Sequence, residues 1–170
     1  MVAARLDARP HALLVGRSWG AAVLLRMLTK LANAAGADGK QKTPADAPTK
    51  NSVLPSGVVS GPPSLDAVKC LVLIAPAAPT ALLDELPSRI KALPVLLVWA
   101  KDDPIVPYSG SEKVLEAFTG IKRTLLLESA VPQDATPSER WMGHAPELQR
   151  KDEFAQAILS LMQELDSGVR

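Results

Sequence analysis

Hydrophobic positions along the chain fall into short unbroken runs, and the stretches between them repeat apolar residues at helical spacing. The runs predict four strands, at His11–Val15, Val68–Ala75, Val95–Ala100 and Arg123–Glu128. A helix is predicted from about Trp19 to Ala32, with Leu24, Leu25, Leu28 and Leu31 at helical spacing. A second spans Thr80 to Lys91, with Thr80 as its N-cap, Leu82, Leu83, Leu86 and Ile90 on one face, and Pro87 dividing it. A third covers Ser111–Phe118. The last runs from about Asp152, its N-cap, to Leu165, with Phe154, Ile158, Leu161, Met162 and Leu165 as an apolar stripe.

Strands that are apolar throughout, rather than alternating, are buried on both faces, as in a parallel sheet between layers of helix. Strands separated by helices require right-handed crossovers, so the predicted class is α/β, doubly wound, with a mainly parallel sheet of four strands. Residues Asn33 to Pro63 differ from the rest. They are rich in Ala, Gly, Lys, Ser and Thr and are broken by Pro44, Pro48, Pro55, Pro62 and Pro63. Such a stretch buries too little apolar surface to offset its ordering entropy, so it is expected to be a flexible insertion, with Val53-Leu54 and Val58-Val59 as weak anchors. The whole chain, 1–170, is expected to be one domain.

Charge and composition narrow the function classes. A formal net charge of +1 supplies no attraction to nucleic acid or an anionic membrane, and 4% aromatic residues leave little to stack on bases. No apolar run reaches membrane-spanning length. Cys70 is the single cysteine, which excludes an intrachain disulfide, and its place in a strand pattern marks it as a core residue. Met1–Pro10 holds no apolar h-region, so the expected location is cytoplasmic.

The stretch Gly16-Arg17-Ser18-Trp19-Gly20 has the form G-x-S-x-G and stands between a predicted strand and a predicted helix. A serine on that bend is lifted clear of the sheet, and small residues on both sides let backbone crowd backbone. It also sits at the positive end of a helix, where the Trp19 N–H can meet a developing oxyanion. The bland alternative is a serine that merely caps the helix.

In doubly wound sheets functional groups gather beyond the carboxyl ends of the strands. The third strand is followed there by Asp102 and Asp103, and the fourth, after a loop from Ser129 to about Met142, by His144. Serine, carboxylate and imidazole together are what nucleophilic catalysis needs. Each also has a plainer role: both aspartates suit a turn that hydrogen-bonds backbone, and His144 suits a surface loop. Trp99 and Trp141 are expected to pack rather than to bind substrate, while Trp19 suits both tasks.

On these residues the chain resembles the C-terminal half of an α/β-hydrolase. Gly16-Arg17-Ser18-Trp19-Gly20 is similar to the nucleophile elbow. Asp103-Pro104-Ile105-Val106-Pro107 is similar to the D-x-x-V-P turn after the acid-bearing strand. Gly143-His144-Ala145-Pro146, followed by Asp152-Glu153-Phe154, is similar to the histidine loop and last helix. The resemblance implies Ser18 as nucleophile, Asp103 rather than Asp102 as acid, His144 as general base and the Trp19 N–H as oxyanion donor, with Gly16 and Gly20 as the elbow glycines. It implies a serine hydrolase acting on a small-molecule ester, thioester or amide through an acyl-enzyme, with no metal and no cofactor. Pro76 to Pro94 is the stretch that would shape an acyl pocket.

The family carries further strands before the elbow, and a loop there supplies a second oxyanion N–H. The chain is therefore expected to be incomplete on its N-terminal side. Loss of one oxyanion donor costs about 10²–10³ in turnover. The first strand would also keep an open apolar edge, to be covered by a partner chain or by self-association. The alternative reading is a catalytically silent hydrolase-like module used for binding or assembly. A nucleotide-binding domain is disfavoured, since no G-x-G-x-x-G or G-x-x-x-x-G-K-[ST] turn occurs.

Overall fold

Four strands, β1 (Ala12–Arg17), β2 (Val68–Ile74), β3 (Val95–Ala100) and β4 (Lys122–Leu127), pair in parallel in the order β1-β2-β3-β4. This is the α/β class that the apolar runs predict. The computed structural model describes residues 12–37, 65–128, 134, 136–138 and 143–168. Helix α1 (Trp19–Ala37) follows β1, α2 (Thr80–Asp84) and α3 (Ser88–Lys91) separate β2 from β3, and α4 (Ser111–Glu116) separates β3 from β4. A short α5 (Pro146–Gln149) and a long α6 (Lys151–Ser167) end the fold.

Side chains alternate across the sheet and build two cores. Leu71 and Leu73 of β2, with Val95, Leu97 and Trp99 of β3, meet Leu25 and Leu28 of α1, Ile90 of α3 and Val114 of α4. On the other face Cys70, Val72 and Ile74, with Leu96 and Val98, meet Leu161 of α6. Each such aliphatic side chain taken from water contributes about 1.5–3 kcal/mol, so both central strands are fixed by burial on two sides. Burial also pushes the Cys70 thiol above its ordinary range, against a smaller opposite pull from Lys69. Its side chain is wholly enclosed, as a core residue should be.

The boundaries depart from expectation where local signals compete with pairing. The first strand begins at Ala12 within the described residues and runs on through Gly16 and Arg17, because these pair with Leu73 and Ile74 of β2. The turn is thus reduced to Ser18. The first five residues of the expected insertion, 33–37 (Asn-Ala-Ala-Gly-Ala), are helical and extend α1, three alanines offsetting the poorer helix formers Asn33 and Gly36. The remainder of that insertion, with both valine anchors, lies outside the described residues, as do Met1–His11 and most of the loop from Ser129 to Met142. Thr80 is not a cap: Pro79 holds the N-cap position and makes no side-chain cap bond. Asp152 likewise lies inside the first turn of α6, whose N-cap is Arg150, so its charge acts on the helix dipole instead.

The sheet edges differ from its centre. In β4, Lys122, Arg123 and Thr124 are exposed. Among the described residues β1 pairs with β2 alone, and Val15 is 51% exposed, as are Val23 (56%) and Met27 (57%) of α1. Among the described residues no helix is long and apolar enough to cross a membrane.

Candidate active site

The bend after β1 is tight. A Cβ on Gly16 would lie 2.7 Å from the Cα of Ala21, so only glycine lets the strand end pass the first turn of α1. Gly20 is different: nothing lies within 4 Å of a Cβ added there, so the crowding expected on both sides exists on one. Ser18 carries a φ of 50°, left-handed for a residue with a side chain. Three backbone bonds hold it so. Its N–H donates to the Ile74 carbonyl at 2.9 Å, and its carbonyl accepts from Ala21 N at 3.1 Å and Ala77 N at 3.2 Å. Such a backbone conformation costs about 1–3 kcal/mol and persists only where the surroundings enforce it. Trp19 and Gly20 open α1, so their N–H groups belong to the turn that has no intrahelical acceptor.

The turn after β3 is built by Asp103. Its Oδ1 accepts from Ile105 N at 2.8 Å and Val106 N at 2.9 Å. The Trp99 indole N–H adds a bond to the Val106 carbonyl at 2.8 Å, so the packing role expected of Trp99 includes pinning this turn. Oδ2 faces the other way, and His144 Nδ1 lies 2.7 Å from it. The pair is out of solvent, with the imidazole 1% and the carboxylate 0% exposed. A carboxylate only accepts, so the contact is satisfied by the tautomer that carries its proton on Nδ1. Asp103 thus holds its own turn with one oxygen and meets His144 with the other. Asp102 is exposed.

Ser18 and Asp103 leave strands two places apart, a separation of roughly 9.5 Å between strand axes. The hydrogen bonds that the described residues give Ser18 are all made by its backbone. The described side-chain link between the two segments is one residue away: Arg17 Nη1 donates to Glu147 Oε1 at 3.3 Å, joining the end of β1 to the helical turn after His144. Glu147 escaped the sequence reading, because no spacing rule pairs residues 130 positions apart.

Beside the elbow a cavity of about 450 Å³ lies between Trp19, the Pro76–Thr80 loop and α4. Its walls are mostly apolar, including Leu83, Trp99, Val106 and Val114, with Lys113 as its one cation among the lining residues. Trp19 borders it with a side chain 70% exposed, whereas Trp141 lies outside the described residues. Among the described residues no group of three or more His, Cys, Asp or Glu side chains could hold a metal ion.

No family model matches the chain, and no curated protein matches it. Among solved structures, a thermostable esterase is similar over 53% of this chain and 25% of its own, at 21% identity and a TM-score of 0.30. The chain thus spans about a quarter of the length of that esterase.

Proposed function

We propose that the chain is a serine hydrolase that cleaves an ester, thioester or amide through an acyl-enzyme, with Ser18 as nucleophile, His144 as general base and Asp103 as the acid that orients it. The observation that carries this reading is the buried 2.7 Å bond between His144 Nδ1 and Asp103 Oδ2. It fixes the tautomer whose Nε2 can take a proton from a hydroxyl. The left-handed Ser18 supports it, since strain of that kind is what a strand-to-helix nucleophile bend stores.

In the reaction Ser18 Oγ attacks the substrate carbonyl carbon as its proton passes to His144 Nε2. The carbonyl oxygen becomes an oxyanion facing the first-turn N–H of Trp19. Collapse expels the alcohol, thiol or amine, which takes the proton from His144, and leaves an acyl group on Ser18. Water, deprotonated by the same imidazole, then releases the acid. Asp103 stabilises the imidazolium at both steps. The substrate is a small carbonyl compound, and no metal or cofactor takes part.

A second reading, a catalytically silent module, is favoured by the complete burial of His144, at 0% exposure. A fluorophosphonate probe followed by intact-mass measurement separates the two. The hydrolase reading expects one adduct on the wild type, none on Ser18→Ala, and turnover of p-nitrophenyl acetate that the same substitution abolishes. Folded wild-type protein that takes no adduct overturns it and selects the silent module.

A further inference from the structure

The loop after β2 and helix α4 face each other across the cavity of about 450 Å³, a volume within the range of roughly 300–1,000 Å³ in which proteins hold small molecules. Two of its walls are tied down. The Ala77 N–H donates to the Ser18 carbonyl at 3.2 Å, which fastens the loop to the bend after β1. Trp99 is bonded through its indole N–H to the Val106 carbonyl and set edge-on to Tyr108, with ring centroids 6.0 Å apart.

Lys113 is the one ionisable side chain among the lining residues, and no carboxylate lines the cavity to answer it. It is exposed, and among the described residues its ammonium makes no hydrogen bond and no ion pair. Lys113 also borders a smaller pocket with Asp84, Glu116 and Lys91, and pairs with neither acid there. We propose that the cavity binds a ligand that joins an apolar body to a carboxylate, and that Lys113 selects the charged end.

Burial and charge each contribute a part of this. The apolar lining around Leu83, Val106 and Val114 gains from covering a hydrocarbon body and offers it no competing polar partner. A carboxylate entering such a place loses hydration, and the loss is offset where it accepts a charge-assisted hydrogen bond from an ammonium. The lysine stem is long and flexible, so its ammonium stays in water until a ligand arrives and then turns to it. A cationic ligand would meet like charge at the same place, and a neutral one would leave the lysine unmatched. The inference does not rest on the hydrolase reading, since neither the Ser18 hydroxyl nor the His144 ring enters it. The ligand is part of the substrate under that reading and a cargo under the silent one.

The test titrates the full chain calorimetrically with octanoate, hexanoate, octan-1-ol and octylammonium, with a thermal melt of each variant beside it. Octanoate is expected to bind about fivefold or more tightly than octan-1-ol or octylammonium. Hexanoate is expected to bind roughly tenfold more weakly than octanoate, because two methylenes fewer are buried. Lys113→Met, at an exposed position, is expected to weaken octanoate by about 5–10-fold and to leave octan-1-ol within about twofold of wild type. Lys113→Arg, which keeps the charge, is expected to hold octanoate within about threefold. Equal affinity for octanoate and octan-1-ol overturns the inference. So does an octanoate affinity that survives Lys113→Met in folded protein, a loss in Lys113→Arg as large as in Lys113→Met, or folded wild type that binds no octanoate. Fluorophosphonate labelling decides the hydrolase reading separately from all of these titrations.

Discussion

Asp103 Oδ2 lies 2.7 Å from His144 Nδ1 while Asp103 Oδ1 holds two backbone amides of its own turn, so one carboxylate both shapes a loop and orients an imidazole. The two tasks separate in Asp103→Asn. The amide oxygen of Asn can still accept from Ile105 and Val106, but its NH₂ then faces His144 and requires Nδ1 to accept. That moves the proton to Nε2, the wrong tautomer for a base. The expected outcome is a fall of about 10³–10⁴-fold in esterase turnover with only a small loss of stability, read by p-nitrophenyl acetate kinetics and a urea melt. Asp102→Asn, at an exposed position, is expected to change neither.

Ser18 predicts a dissociation of activity from stability. Its φ of 50° remains strained for any residue with a Cβ, and glycine alone relaxes it. Ser18→Ala and Ser18→Gly should both abolish probe labelling. Ser18→Gly should nonetheless be more stable than Ser18→Ala, by about 1 kcal/mol in urea denaturation. Equal stability of the two variants would show that the bend is not under strain.

Gly16 and Gly20 should respond oppositely. Gly16→Ala drives a Cβ to 2.7 Å from the Ala21 backbone, which cannot yield without moving α1, so it is expected to destabilise by about 1–3 kcal/mol and to displace Ser18. Gly20→Ala meets nothing within 4 Å and adds a better helix former to the first turn of α1. It is expected to be neutral or to stabilise by up to about 1 kcal/mol. Thermal melts of the two variants side by side check this.

These contrasts show what the order of residues revealed and what it concealed. The third strand, Val95–Ala100, is read correctly to the residue because both its faces are buried, so hydrophobicity marks each position. The end of β1 is not, since Gly16 and Arg17 look like turn residues and are strand only through pairing with Leu73 and Ile74. Thr80 and Asp152 are good capping residues on composition, but Pro79 and Arg150 take the positions because the chain path, not the side chain, sets where each helix begins. At the site, the short-range patterns around Ser18, Asp103 and His144 were visible, as each is a local motif. The Arg17–Glu147 contact was not, for it exists only once β1 and α5 are brought to the same edge of the sheet.

Cys70 makes the fold sensitive to alkaline pH with a sign that follows from burial. Its side chain is 0% exposed under α6, and the thiolate, which would lose its hydration there, is disfavoured. The folded chain therefore holds the thiol above its ordinary pKa of 9.0, while the unfolded chain does not. Below that value the thiol is protonated in both states and its contribution to stability is fully present. Above it the unfolded state sheds the proton first, so stability falls as pH rises toward the folded pKa, by at most about 1.4 kcal/mol per pH unit from this group. The comparison is with Cys70→Ala, which lacks the effect but leaves a small cavity. The variant is expected to be less stable than wild type at pH 7 and to close that gap by pH 10, read as the difference between urea midpoints. A gap that stays constant across the two pH values would mean that the thiol titrates alike in both states and that its strand opens to solvent.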